Sequence, residues 1–296
     1  VIIPTKKLKC GLEIPVYGLG LWEVGGRWES DSSKDEKEII AIRAAIDAGV
    51  TMIDTAEIYG DGHAEELLGR AIDGLDRSKL FISTKVFGTN QGYVGTLNAF
   101  KKSKNRLGVD YVDLYLLHSY PRPGISIQDT MRALDELVES GQVRYIGVCN
   151  MTPERYDEAQ KYSKNKIVYN QLHYNVQYRE VEKYKLQQHA IDNDYLLCAW
   201  RPVQKGELPE SVALKEIAEK YGKTTIQVAI NWLVSQQNVI TLSKTSNPEH
   251  LNENLSALDW TMDKEDIERI RNEFPNQKEK SDAVPLDYAG SDSSES

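Results

Sequence analysis

An acid, a phenol, an ammonium and an imidazole stand at Asp54, Tyr59, Lys85 and His118. Singly, each has an ordinary explanation. Asp54 caps the turn into Thr55-Ala56, Tyr59 is one of 16 tyrosines, Lys85 is a solvated strand end and His118 a hydrogen-bonded core histidine. Together they suit the reduction of a carbonyl. An Asp54–Lys85 ion pair fixes the ammonium, and that ammonium beside Tyr59 is expected to lower the phenol pKa from its ordinary value of about 10. A tuned phenol with a neutral imidazole nearby can protonate a carbonyl oxygen while polarising it. The set carries no hydride, so a nicotinamide cofactor has to supply one.

The elements that must position these groups are legible as a series of short apolar runs. They lie at 16–20, 51–54, 80–86, 111–117, 143–148, 167–170, 195–200 and 239–242. Asp54, Lys85, His118, Asn150, Gln171, Trp200 and Lys244 end these runs or closely follow them. Helix-period stretches alternate with the runs, among them Ile39/Ile42/Ile46, Ile127/Met131/Leu134/Val138 and Leu214/Ile217/Ala218/Tyr221. Gly49, Gly141 and Gly222 follow helices as C-terminal caps do, and Thr152-Pro153-Glu154 begins one. Two further helical patterns, 225–236 and 263–273, exceed what eight units require and read as additions near the C-terminus.

Eight strand–helix units predict an α/β fold, a closed (β/α)8 TIM barrel, whose reactive groups gather at the C-terminal ends of the strands. A doubly wound open sheet is the competitor, but Gly18, Gly20, Gly25 and Gly26 form no GxGxxG turn into a helix. Residues 6–15, turning at Cys10-Gly11, read as a β-hairpin preceding the barrel. The expected organisation is one domain over 1–275 followed by a polar loop or tail over 276–296.

Composition narrows the class. The 296 residues carry a net charge of −9 and have no basic cluster, so a nucleic-acid partner is not expected. No run approaches the ~20 apolar residues of a membrane helix. The N-terminal residues lack an apolar signal core, and the three cysteines lack CxxC spacing, so a reducing, cytoplasmic setting is expected. The five histidines are scattered without an i, i+4 pair, so no metal is expected.

The ordered motifs resemble the aldo-keto reductase family. They are Ile53-Asp-Thr-Ala-Glu-Ile-Tyr59-Gly with His63-Ala-Glu-Glu-Leu-Leu-Gly69, Ser83-Thr-Lys85-Val and Leu107 through His118. Ile146-Gly-Val-Cys-Asn150, Asn170-Gln171 and Lys244 with Asn247-Pro-Glu continue the series, so the likeness runs from about residue 8 to 260. The resemblance implies Tyr59 as proton donor, Lys85 and Asp54 as the pair that tunes it, and His118 as the group orienting the carbonyl. It further implies Asn150 and Gln171 at the nicotinamide carboxamide, Trp200 under its ring and Asp54 near the cofactor ribose. Lys244, Thr245 and His250 then fall at the adenosine phosphate, with Glu253 and Asn254 at adenine. The implied protein is a monomer without an obligate protein partner, acting on a small carbonyl compound.

Three departures qualify that picture. Cys149 replaces a common Ser, which weakens one carboxamide hydrogen bond. His250 stands where the family has an Arg, and imidazole cannot reproduce the always-charged planar clamp on a 2′-phosphate. NADPH is therefore favoured through Lys244, with NADH or dual use as the alternative. Ser119-Tyr120-Pro121 replaces a Trp-Pro pair, leaving Trp22, Trp28, Phe87 and Tyr120 as candidates to line the substrate pocket under the glycine-containing loop 23–33. Two rivals stand beside this reading: a nicotinamide-binding regulatory subunit of the same fold with little turnover, and a barrel hydrolase using Asp54 and Glu57.

Overall fold

In the computed structural model, which describes residues 2–286, the predicted strands form a closed parallel barrel in chain order. A hairpin of β1 (Thr5–Lys7) and β2 (Glu13–Pro15) comes first. The barrel strands are β3 (Tyr17–Gly20), β4 (Met52–Asp54), β5 (Phe81–Val86), β6 (Val112–Leu117), β7 (Val143–Cys149), β8 (Ile167–His173), β9 (Leu196–Trp200) and β10 (Val239–Ser243), with β10 closing against β3. Helices α1 (Asp35–Asp47), α2 (His63–Ile72), α3 (Tyr93–Leu107), α4 (Ile127–Glu139) and α5 (Pro153–Lys161) alternate with the first strands. Then follow α6 (Glu180–Lys183), α7 (Leu186–Asp192), α8 (Val212–Tyr221), α9 (Thr225–Val234), α10 (Pro248–Leu255) and α11 (Lys264–Glu273).

The strands read as continuous apolar runs because helices cover one face and the barrel interior the other. All six residues of β6 are buried, including Asp113. Between β7 and β8 the register shifts at Gly147, where a Cβ would lie 2.5 Å from the Leu116 side chain and 3.0 Å from the Tyr169 carbonyl oxygen. Glycine is the residue that allows the two strands to approach so closely. Helix starts follow the expected chemistry. Thr152 caps α5 with Pro153 in its first turn, and Thr224 and Gln227 form a reciprocal capping box on α9.

The structure corrects one helix assignment. Residues 225–236, expected as an addition, contain α9, which packs directly on β10 and is therefore the barrel helix. The added helix is α8, lying outside against α9 and α11. The reason is visible in α9 itself, whose residues 227–233 are all buried, as befits a helix enclosed on every side. The segment after Phe274 is irregular as expected, yet it is docked through Leu286. Leu286 is 2% exposed and its N–H donates to Glu180 at 3.0 Å. The remainder of the expected tail, 287–296, lies outside the described residues.

Candidate active site

Strand geometry brings Asp54 and Lys85 together at the barrel mouth. Asp54 is the last residue of β4 and Lys85 the penultimate residue of β5, its hydrogen-bonded neighbour. Lys85 is fully buried and donates to Asp54 Oδ2 at 2.6 Å, the Thr55 carbonyl at 2.7 Å and the Tyr59 hydroxyl at 3.2 Å. Asp54 Oδ1 also accepts from the Ser83 hydroxyl at 2.6 Å. Every direction open to the ammonium is thus filled by oxygen, and one of those oxygens is the phenol.

Tyr59 lies on a tight turn after β4 that depends on Gly60. At φ 56° a side chain is strained, and a Cβ there would lie 2.4 Å from the Gly25 carbonyl oxygen. The Gly60 N–H donates to the Arg27 carbonyl at 3.1 Å, fastening the loop after β3 to the turn that carries the phenol. Glu57 secures the opposite wall, accepting from the Phe87 N–H at 2.6 Å and the Asn90 amide at 3.1 Å.

The rings form a continuous wall. Trp28 meets Trp22 edge-on at 4.9 Å, Trp22 meets Tyr59 at 5.0 Å, Tyr59 meets His118 at 5.7 Å and His118 meets Phe87 at 6.1 Å. Tyr120 is not part of this wall. Its hydroxyl donates to Glu158 on α5 at 2.6 Å, and the Arg155 guanidinium covers its ring.

Electrostatics correct one expectation. Burial pushes the Tyr59 pKa up to about 12, outweighing the Lys85 ammonium that pulls it down. The phenol is therefore a neutral donor at pH 7 rather than one tuned toward phenolate. Burial also opposes the charge on Lys85, but Asp54 and Tyr59 more than offset it and hold its pKa above the ordinary lysine value. His118 is lowered to about 3 by burial and by Lys85, so its imidazole is neutral. Burial pushes the Cys149 thiol up, so it too stays neutral.

Beside this set lie polar groups without partners. The Gln171 amide nitrogen is buried and makes no hydrogen bond, and neither does His118 Nδ1. Asn150, in the left-handed region at φ 56°, donates to the His118 carbonyl at 3.3 Å and accepts from the Trp200 indole N–H at 3.4 Å. A buried donor left open at a strand end, next to a half-buried indole, fits the carboxamide and ring of a nicotinamide.

The expected adenosine-phosphate residues lie at the β10–α10 junction. Lys244 Nζ donates to the Glu23 carbonyl at 3.0 Å, and the Thr245 hydroxyl bridges to Asn247 at 3.1 and 3.2 Å. Lys244, Thr245 and Ser246 border a cavity of about 320 Å³ that Lys34 and Lys37 of the α1 region also line. His250 is exposed on the first turn of α10. Glu253 accepts from the Thr224 hydroxyl at 2.7 Å, and the buried Asn254 donates inward to Tyr17 and Ser243 at 3.2 Å each. Sequence reasoning missed Glu57 as the anchor of Phe87, and His173, whose ring lies flat on Trp200. A carboxylate three residues past Asp54 was the signal for the first; the second had none.

Comparison with known proteins agrees with this fold. Residues 17–273 match the Aldo/keto reductase family. The chain is 36% identical over 269 residues to glyoxal reductase of Bacillus subtilis (strain 168), spanning 90% of this chain and 91% of that protein. The structure of a thermostable aldo-keto reductase with the inhibitor epalrestat superposes with a TM-score of 0.88 at 38% identity, over 90% of this chain and 98% of that one. A Klebsiella pneumoniae aldo-keto reductase in complex with NADPH gives 0.82 at 30% identity, over 95% and 98%. With the family model, the relatives and the barrel fold in agreement along nearly the whole chain, the chain belongs to the aldo-keto reductase family.

Proposed function

We propose that the protein reduces small aldehydes and ketones to alcohols with NADPH, Tyr59 acting as the proton donor. The observation that carries this reading is the buried Asp54–Lys85–Tyr59 chain, which ends at a phenol in the mouth. Tyr59 gives its proton to the carbonyl oxygen. As it leaves, the Lys85 ammonium, already hydrogen-bonded to the phenol oxygen at 3.2 Å, stabilises the negative charge that develops there. Asp54 and the Thr55 carbonyl keep Lys85 aimed, so no reorganisation is needed at that moment. His118, neutral because burial and Lys85 hold its pKa near 3, orients the carbonyl by hydrogen bonding without competing as an acid.

When bound, the nicotinamide cofactor supplies the hydride. Gln171 and Asn150 are proposed to hold its carboxamide, Trp200 its ring and Asp54 the neighbouring ribose. Lys244, Thr245 and His250 would take the adenosine phosphate. Glu253 and Asn254 are assigned to adenine, Asn254 through its carboxamide oxygen since its nitrogen is bonded inward. Trp22, Phe87 and His118 line the substrate side, with Tyr120 at its outer edge.

A relative named glyoxal reductase supports short dicarbonyl compounds as the first substrates to try. The NADPH complex of a neighbour supports the cofactor. Among the described residues no helix is long and apolar enough to cross a membrane. The test follows nicotinamide absorbance over a carbonyl panel. Substrate-dependent oxidation of NADPH is expected. Tight binding with negligible turnover across the panel would instead favour the regulatory-subunit reading.

A further inference from the structure

His173 and Trp200 are register partners on β8 and β9. The imidazole lies nearly parallel to the indole, 10° between planes and 4.3 Å between centroids, and Tyr178 stacks on it at 4.4 Å and 23°. A ring that stacks so closely on two others is sandwiched between them. His173 is 3% exposed, and its edge is held as firmly as its faces. Nδ1 lies 2.8 Å from the Ser281 hydroxyl and Nε2 3.3 Å from the Gln204 carboxamide oxygen.

Ser281 belongs to the irregular segment after α11, and that segment is anchored at several points. The Ser281 and Leu286 N–H groups donate to the two oxygens of the buried Glu180 carboxylate at 2.9 and 3.0 Å. Lys278 exchanges backbone hydrogen bonds with Gln177 and Arg179, each 2.7 Å. Asp282 accepts from the Tyr178 hydroxyl at 2.8 Å and lies 3.6 Å from the Arg201 guanidinium, which itself sits 5.4 Å from the Trp200 ring centre. On the far side of Trp200 the connection continues, from the indole N–H to Asn150 and from the Asn150 amide to the His118 carbonyl.

We propose that residues 278–286 form a strap that sets the plane of the Trp200 indole through His173, making His173 and Ser281 positioning residues for cofactor binding. The inference rests on the assignment of Trp200 to the nicotinamide ring made above. Trp200 has one long hydrogen bond at its edge, at 3.4 Å, which restrains rotation of the indole about its own stem only weakly. The imidazole packed flat on one face removes what freedom remains. Burial lowers the His173 pKa to about 4, so the ring is neutral at pH 7 and carries no repulsive charge into the stack.

The test compares wild type with His173→Ala, His173→Phe and Ser281→Ala in the full chain. NADPH affinity, indole-to-nicotinamide energy transfer and the split between KM for NADPH and kcat are measured for each. His173→Ala is expected to weaken NADPH binding about tenfold and lower the energy transfer, with kcat at saturating cofactor little changed. His173→Phe, which keeps the flat ring, should recover most of the affinity. Ser281→Ala should fall between the two, with about a threefold loss. Unchanged affinity in His173→Ala and Ser281→Ala, or a Phe variant as weak as the Ala variant, overturns the strap while the reductase assignment stands. Wild-type protein that binds neither NADPH nor NADH removes that assignment and the strap together.

Discussion

Asp54 and Asp113 are both carboxylates on barrel strands, both almost wholly buried, and both paired with cations, yet they end in different kinds of structure. Asp113 accepts from Arg77 at 2.6 Å, Arg144 at 2.8 Å and the Ile82 N–H at 2.9 Å. Its arginines reach toward solvent, with side chains 19% and 49% exposed, and both guanidiniums cover the Tyr111 ring. That network sits at the N-terminal end of the barrel, and it too leaves a buried donor open, the Arg77 Nε. Asp54 faces a lysine with no exposure at all, and the lysine passes the contact on to a phenol at the mouth. Around it Gln171 and His118 keep buried polar atoms without partners. The difference lies in where the cations lead: those of Asp113 reach solvent, as in a pair that supports the fold, while that of Asp54 leads to a phenol at the mouth, as the proposed chemistry requires.

Substitution can break this contrast at either end. The largest effect expected is on turnover at the mouth. Tyr59→Phe should lower kcat about a thousandfold while NADPH affinity and thermal midpoint stay near wild type. A near-normal rate removes Tyr59 from the mechanism. At the other end Asp113→Ala should cost about 3 kcal/mol in denaturant unfolding, because it leaves two partly buried guanidiniums without their counter-charge. Turnover per folded molecule should be unchanged, and a selective loss of kcat would erase the distinction between the two aspartates.

Acid sharpens the comparison further. The His118 pKa is near 3 in the folded chain and near the ordinary 6.5 when unfolded. Between those values the unfolded chain binds a proton that the folded chain refuses, so stability falls as pH falls through this window and is unaffected above it. Equilibrium unfolding against pH should show His118→Asn losing about 2 kcal/mol less than wild type on acidification from neutrality to about pH 5. The kcat/KM profile of wild type should likewise show no acid limb near pH 6.5. The smallest effect is expected at the edge of the cofactor site. His250→Arg should tighten NADPH about fivefold and leave NADH unchanged, read by fluorescence titration. Equal changes for both cofactors would show that His250 does not face the 2′-phosphate.

What the sequence revealed and what it hid follow from the same physics. Each barrel strand is buried on both faces and so reads as an apolar run, which is why β3 to β10 fall where the runs lie to within one to three residues. Asp54, Lys85 and His118 were legible because a polar residue ending such a run has to be explained. Depth of burial has no such mark. The Lys85 ammonium beside Tyr59 was foreseeable, but not that desolvation would outweigh it. The roles of α8 and α9 were exchanged because α8 shows the cleaner amphipathic period, while α9 is apolar nearly all round. The docked segment beyond Phe274 has no periodicity to read. Its anchors are backbone N–H groups on Glu180 and single contacts to His173 and Tyr178.

The central claim is that a buried ion pair at the mouth serves a phenol that protonates a carbonyl. It is tested most directly by mixing wild type and Tyr59→Phe with NADPH and short dicarbonyl compounds and following nicotinamide absorbance. The account predicts rapid substrate-dependent oxidation by wild type, and an equally well-saturated but nearly inert variant. Equal rates in the two proteins, or no oxidation by wild type with any carbonyl despite bound NADPH, would contradict it.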